Sequence, residues 1–468
     1  MSQFVGVATA FQYAFLLFFL ALNAYYTMLN VLAFPTLMRY MRRRSLNVAP
    51  QITPGFLPPI TLVVPAYNEE ATIGESVKSL LRLDYPHYEV VVVNDGSKDG
   101  TIDTLIRELH LIPYPAAFEE KVPCKPIRQF YVSTVHPNLR VVDKENGGKS
   151  DALNAGINLC RTPLFCCMDA DSILLRDSLT IAVQPFLEDP TTVCVGATIR
   201  VVNGCTVENG TLTERRLPRN WLALVQIVEY LRAFLFGRVG WTPMNAVLII
   251  SGAFGIFDRD AVVEAGGYRH DTIGEDMELV VRLHRTLRDK GKPYRVAFVP
   301  DPICWTEVPE NLKVLRNQRV RWQRGLGESL QKNRKLLFHR RGGAAGWFAY
   351  PVMAVLDLFG PLIELSGYVF MLLCFLMGAA LNSTMIAFLV LSFGFGIILS
   401  ACALVLEELS FRVYPSWRDI LVLFFVAIGA EVGYRQLSCY WRIVGFFKWV
   451  RGGKATWGTM TRQAAWKK

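Results

Sequence analysis

Hydrophobic and polar positions divide the chain into two apolar ends around a centre of short alternating patterns. Phe11 to Phe34 is apolar at nearly every position, interrupted by Gln12, Asn23, Tyr25, Tyr26, Thr27 and Asn30, and is long enough to cross a bilayer with some tilt. Arg39, Arg42, Arg43 and Arg44 follow at once, so this end predicts an amino terminus outside and the next segment in the cytoplasm. The stretch has no basic leader or small-residue cleavage site and is too long for a cleavable signal. A Pro-rich linker, Val48 to Pro59, leads into the centre.

From Ile60 the period changes. Ile60 to Pro65 reads as a strand, Thr72 to Arg82 as a helix, Tyr88 to Val93 as a second strand running into Asn94-Asp95-Gly96-Ser97, and another helix starts near Thr101. Two βα units in tandem imply parallel strands with a right-handed crossover, whose ligands sit over the carboxyl ends. His110 to His136 is a Pro-containing insertion whose pattern assigns no element. Leu139 to Val142 is a third strand, followed by a loop over Asp143 to Gly156. Leu164 to Met168 is an apolar run of strand length, Val193 to Val202 is a further strand, and Asn220 to Gly237 is an apolar helix. Ile249 to Val262 holds the small residues Ser251, Gly252 and Ala253, where a ligand or backbone can approach closely. Glu275 and Asp276 open an amphipathic helix at the end whose dipole favours carboxylates. A strand, Tyr294 to Val299, and an arginine-rich helix, Leu315 to Gly325, complete the centre.

Beyond it, Gly346 to Gly378 has more apolar residues than one span needs, with Pro351, Asp357, Pro361 and Glu364 in its first half. It predicts an interfacial helix leading into a span over Leu362 to Ala380, and Thr384 to Leu406 predicts another. Asp419 to Val450 is interrupted by Glu431, Arg435 and Arg442. The tail after it carries only basic charge and is expected in the cytoplasm, which requires an even number of spans after the centre. This last segment is therefore expected to be re-entrant, interfacial or a short hairpin. The resulting division is a membrane helix with its basic flank over 1–45, a cytoplasmic domain over 46–335, and interfacial and membrane helices with a basic tail over 336–468.

Composition agrees with a membrane protein carrying an embedded polar domain: 52% of residues are hydrophobic and mean hydropathy is +0.27. The net charge of +10 is concentrated beside the apolar segments, a pattern suited to anionic headgroups and not to nucleic acid. Ten cysteines without a C-x-x-C pair and six scattered histidines point to reduced thiols in a cytosolic compartment and argue against structural zinc.

The candidate chemistry is acidic and oxygen-rich. Asp169 and Asp171, one residue apart at a strand end, suit a hard divalent cation that leaves positions free for nucleotide phosphates. The sequence GGKS resembles the end of a Walker loop, but the first glycine of that motif would fall at position 143, which is Asp. No G-x-G-x-x-G follows the first strand, which excludes a dinucleotide fold. Lys149 remains a candidate phosphate contact beside a helix amino terminus.

Taken in order, PAYNEE, VVVNDGSKDGT, NGGKSDALNAG, DADS, GED and QRVRW resemble the inverting family 2 glycosyltransferases of GT-A fold, over about Ile60 to Gly325. The resemblance is to membrane-embedded synthases of β-linked polysaccharides: cellulose, hyaluronan and, best in the loop around Lys149, poly-N-acetylglucosamine. It implies an α/β GT-A domain between membrane helices and a UDP-sugar donor, UDP-GlcNAc or UDP-Glc. Nucleotide-sugar contacts would come from Pro65, Tyr67, Glu69, Asp95, Lys149, Asp169 and Arg321, and Mg²⁺ or Mn²⁺ would be held on Asp169 and Asp171. The same resemblance makes Asp276 the general base with Glu275 beside it, and assigns Ser251, Gly252, Gln318 and Trp322 to the acceptor. The implied activity is processive transfer to a growing polysaccharide at the bilayer of the inner (plasma) membrane, with a cytoplasmic catalytic domain, several passes and export through its own spans. A single-addition enzyme acting on a lipid phosphate, and a silent scaffold or nucleotide sensor, are the alternatives. This chain has GED where the cellulose type has TED.

Overall fold

The computed structural model describes residues 2–45, 56–208, 210–377, 383–414 and 416–453. Most of the Pro-rich linker and the basic tail beyond 453 lie outside the described residues. The chain begins with α1 (Ser2–Ser45) and continues as β1 (Ile60–Ala66), α2 (Ile73–Leu80), β2 (Tyr88–Asn94), α3 (Thr101–Leu109), β3 (Leu111–Pro113), β4 (Ile127–Ser133), β5 (Leu139–Lys144), α4 (Lys149–Leu159), β6 (Leu164–Met168) and β7 (Ile173–Leu174). Two short helices, α5 (Ser178–Ala182) and α6 (Gln184–Glu188), precede β8 (Thr192–Val201), the hairpin β9 (Thr206–Glu208) and β10 (Thr211–Glu214), and α7 (Trp221–Leu231). A π-helical turn, Arg232–Arg238, joins α7 to α8 (Val239–Trp241); then come β11 (Phe254–Asp258), α9 (Arg259–Glu264), α10 (Glu275–Asp289), β12 (Arg295–Thr306) and α11 (Leu312–Lys332).

Ten strands form one mixed sheet in the order β3-β4-β5-β2-β1-β6-β11-β8-β12-β7. Its centre, β5-β2-β1-β6, is parallel throughout, as the tandem βα units require. Val90 to Val93 are all fully buried because helices cover both faces, which is why β2 reads as a continuous apolar run. The insertion after His110 supplies β3 and β4, which extend the sheet by antiparallel pairing.

Two local expectations need correction. The loop expected over Asp143 to Gly156 gives way to helix α4 at Lys149. Ser150 to Leu159 are all buried, so small and polar residues face inward all round and leave no amphipathic stripe to read. Gly156 permits this burial: a Cβ there would stand 2.2 Å from Val63 Cγ1 on β1. The interfacial helix and separate span expected over Gly346 to Gly378 are instead one long helix, Ala345–Leu376, containing α12 (Tyr350–Val352) and α13 (Gly360–Leu376). π-helical turns at Ala345–Ala349 and Met353–Phe359 lie next to Pro351 and Pro361, whose rings deny the regular hydrogen bond.

Among the described residues four helices are long and apolar enough to cross a membrane: Thr9–Arg44, Ala345–Leu376, Ile386–Ser410 and Trp417–Arg451. The third contains α14 (Ser383–Leu389, which starts just before it) and α15 (Phe395–Ser410); the fourth contains α16 (Trp417–Gly429) and α17 (Arg435–Arg451). That fourth helix is broken at Val432 and Gly433, whose φ/ψ values of −108/119° and 87/−60° are non-helical. Before the break α16 packs on α7 and α15; after it α17 runs antiparallel to α13 and along α11. Arg435 pairs with Glu364, Cys439 meets the Pro361 carbonyl, and Arg442 donates to the Asp357 carbonyl. Both halves therefore lie against the α/β unit, the geometry of a hairpin.

Elsewhere the helices are tied to the sheet by charge. Tyr40 and Arg44 of α1 both engage Asp301 of β12, and Arg200 of β8 pairs with Glu407 of α15, where both residues are buried.

Gly156→Ala should lower stability by about 1–3 kcal/mol through overpacking against Val63. Adding Val63→Ala should recover part of that loss, so thermal unfolding of the double variant should be less impaired than the sum of the two single ones.

Candidate active site

Parallel strands in register end at one edge, and their following residues meet there. Tyr67 follows β1, Asp95 follows β2, and Asp169 follows β6. Asn94 stands opposite Asp143, so Asp95 comes beside Lys144, the last residue of β5. Lys144 is fully buried, with its Nζ 2.8 Å from Asp95 Oδ1 and 2.5 Å from Asp151 Oδ1. Asp95 also accepts from the amides of Gly147 (3.0 Å) and Gly148 (2.7 Å) and from Asn146 Nδ2 (3.2 Å). Burial raises the Asp95 carboxyl above its ordinary range against the pull of these donors. The aspartate that the motif assigns to the nucleotide thus also folds the Asn146–Gly148 turn at the amino end of α4.

Lys149, the first residue of α4, places its Nζ 2.5 Å from Asp169 Oδ1 and 3.3 Å from Glu275 Oε1. Burial works against the Lys149 ammonium, but the charges of Asp169, Glu275 and Asp276 outweigh it and hold its pKa above the ordinary lysine value. Burial pushes the Glu275 carboxyl up to about 7 even though Lys149 opposes the rise. Asp276 is held by two backbone donors, Gly252 N at 3.0 Å on Oδ2 and Met277 N at 2.8 Å on Oδ1. The small-residue segment serves this arrangement directly: a Cβ on Gly252 would lie 2.9 Å from Lys149 Nζ and 3.4 Å from Asp276 Oδ2. Glycine at 274, in GED, has a packing reason as well, since a Cβ there would stand 3.0 Å from Gly325 Cα on α11.

One cavity of about 1930 Å³ takes in every site residue predicted from the motifs: Pro65, Tyr67, Glu69, Asp95, Lys149, Asp169, Asp171, Ser251, Gly252, Glu275, Asp276, Gln318, Arg321 and Trp322. It then continues between the apolar helices, past Tyr26, Glu364, Ser400, Glu431 and Arg435. Trp322 is 44% exposed, which leaves its ring open to the cavity. Gln318 is buried, and its Oε1 has no hydrogen-bond partner among the described residues.

Asp169 and Asp171 present hard oxygen donors and so fit Mg²⁺ or Mn²⁺. Among the described residues no group of three or more His, Cys, Asp or Glu side chains is arranged to hold a metal ion. A cation here would have to complete its shell from phosphate and water.

Several residues of the cavity escape a motif reading. Arg238 donates to the Ile249 carbonyl and stands 4.1 Å over the Phe234 ring; burial pushes its guanidinium down to about 10 although Asp276 opposes the shift. Arg319, two positions before Arg321, pairs with Glu229 at 2.6 Å and lies 4.6 Å from the Trp322 ring centre. Glu229 also accepts from Tyr434 at the helix break. Lys144, which lies behind the cavity wall, carried a signal by its place in the strand-to-loop text before GGKS; Arg238, Arg319 and Glu229 depend on contacts far apart in the chain.

Residues 164–383 match the model described as glycosyl transferase family group 2, and residues 61–111 match glycosyl transferase family 2. A poly-beta-1,6-N-acetyl-D-glucosamine synthase of Staphylococcus aureus (strain COL) is 31% identical over 294 residues, which are 62% of this chain and 60% of the synthase. The synthase of the same description from Staphylococcus epidermidis is 27% identical over 275 residues, 58% of this chain and 56% of that protein. The chain thus matches about three fifths of the length of such relatives. Among solved structures, a mannosyltransferase from Pyrobaculum calidifontis in complex with GDP-Man and Mn²⁺ aligns with a TM-score of 0.48 and 21% identity, covering 92% of this chain and 99% of that one.

Lys144→Met should leave Asp95 and Asp151 as uncompensated buried carboxylates and destabilise the fold by about 3–5 kcal/mol. Thermal unfolding checks this. A melting temperature equal to the parent's would mean that the pair does not hold the site together.

Proposed function

We propose that this chain, which carries family 2 glycosyltransferase domains, moves sugars from a UDP-sugar onto a growing β-linked polysaccharide at the membrane and passes the product between its own helices. The observation that carries this reading is the continuity of one cavity from the carboxyl edge of the parallel strands to the apolar helices. A single addition to a lipid phosphate would need no such continuation past Trp322. Similarity to poly-N-acetylglucosamine synthases favours UDP-GlcNAc as donor.

In this reading the acceptor hydroxyl attacks the anomeric carbon from the face opposite UDP. Its proton goes to Asp276, the bond to the diphosphate oxygen breaks, and the electron pair leaves with UDP, so one displacement converts an α-linked donor into a β-linkage. Asp276 suits this role because two amides fix both its oxygens before substrate arrives. Lys149 and Arg321, which both line the cavity, would take up the charge of the leaving diphosphate. A divalent cation on Asp169 and Asp171 would add charge neutralisation of that leaving group. Trp322 offers a stacking face for the acceptor sugar, and the buried Gln318 Oε1 offers an acceptor for a hydroxyl.

The membrane arrangement that goes with it has the amino terminus outside and the α/β unit in the cytoplasm of the plasma membrane. α13 and α14–α15 cross once each, and the broken α16–α17 hairpin returns to the cytoplasmic side.

Membranes containing the protein, incubated with a panel of labelled UDP-sugars, should build large product from one donor, and only short or no product from any donor would sink the reading. Asp276→Asn should bind UDP as the parent does while polymer formation falls by about 10² to 10⁴; Glu275→Gln is the control for loss of a neighbouring charge. Because two carboxylates alone make an incomplete shell, Mn²⁺ should bind the protein weakly by itself and more tightly with UDP present, as read by the electron paramagnetic resonance of free Mn²⁺. Equal affinity with and without UDP would contradict the two-carboxylate site.

A further inference from the structure

Helix α11 makes two kinds of contact along one rigid length. Gln318, Arg321 and Trp322 in its first half border the cavity. Its second half grips the three residues that precede α10. Glu328 Oε2 accepts from the Ile273 amide at 2.9 Å and from Thr272 Oγ1 at 3.2 Å, and Ser329 Oγ donates to the Gly274 carbonyl at 3.3 Å. Arg324 Nε donates to Glu328 Oε1 at 2.7 Å and so orients the carboxylate. Gly325 and Gly274 lie backbone to backbone, a Cβ on Gly325 falling 2.9 Å from Gly274 Cα.

Gly274 caps α10 without any side-chain hydrogen bond of its own. The start of that helix is held from outside at two places, by α11 on residues 272–274 and by the Gly252 amide on Asp276. Asp276 is its second residue. Glu328 itself does not line the cavity, so its contacts cannot act on a sugar directly.

We propose that Glu328 is a positioning residue for sugar transfer, which holds Asp276 in register with the acceptor face on Trp322 by clamping Thr272 and Ile273 to the same helix. The inference rests on the reading of Asp276 as the base. A base works only within about 2.6–3.2 Å of the proton it removes, and a displacement of about 1 Å costs on the order of 10² in rate. The nucleotide pocket is built from the ends of β1, β2 and β6 and the turn before α4, and among these contacts it meets α10 through Lys149 and Glu275.

The test uses the purified full chain in detergent with the donor that the panel identifies. Glu328→Ala should lower kcat by about 10- to 100-fold with the donor KM and UDP affinity unchanged. Glu328→Gln, which keeps an oxygen for the Ile273 amide, should stay within about 3-fold of the parent. Amide hydrogen exchange at residues 273–276 should be faster in the Ala variant and parental in the Gln variant, with exchange in β2 and β6 unaltered. A parental kcat in Glu328→Ala, a Gln variant as impaired as the Ala variant, or a loss of UDP affinity alongside kcat would overturn the proposal. A parent that transfers no sugar from any donor would instead sink the proposed function, and the clamp would then stand or fall on the exchange measurement alone.

Discussion

Lys144, with no access to solvent, neutralises Asp95 and Asp151 at once, and the site around it depends on that neutralisation. Two buried carboxylates this close are tolerable only with a cation between them. The cation arrives by sheet register: β5 runs parallel to β2, and the last residue of one stands beside the first residue after the other. From there the Asn146–Gly148 turn takes its shape from Asp95, α4 begins at Lys149, and Lys149 in turn neutralises Asp169 and Glu275. This edge of the sheet is thus a chain of acid–lysine contacts set by parallel pairing.

Much of this was legible in the sequence because it rests on local patterns. Strands β1, β2, β5 and β6 alternate or run apolar as buried parallel strands do, and Asp95, Asp169 and Asp276 each sit one or two residues beyond an element boundary that the pattern fixes. The unreadable parts have physical causes. Helix α4 is buried on all sides, so it shows no stripe. The insertion forms β3 and β4 only because β5 offers an open edge, a tertiary condition with no local period. The glycine of GED looked like a simple departure from TED, and its meaning as a close crossing with Gly325 exists only once two helices are brought together.

The cavity beyond Trp322 has the same character in a less polar setting. Arg232, Glu364, Glu431 and Arg435 form connected pairs at 2.7–3.3 Å along its wall, contributed by the π-helical turn after α7, by α13 and by the broken helix. Ionised groups among apolar helices survive when they face one another or an aqueous path. Glu431 and Arg435, two of the three interruptions that made Asp419 to Val450 hard to read as a span, are among these wall residues.

The pairing of Arg200 with Glu407 reaches beyond the site, to what can be cut from this protein and still fold. Both residues are buried, and the pair joins strand β8 to a helix some two hundred positions later. Alongside it, Gly445 of α17 admits the Val320 carbonyl of α11 to within 2.6 Å of where a Cβ would stand, and one hydrophobic cluster contains both Ile60 and Trp441. A polypeptide ended near residue 335 would strand a guanidinium in the sheet and bare one flank of α11. The α/β unit and the long apolar helices therefore share a single interior, and recombining either with a foreign counterpart would mean rebuilding that interior as well as joining two ends of chain.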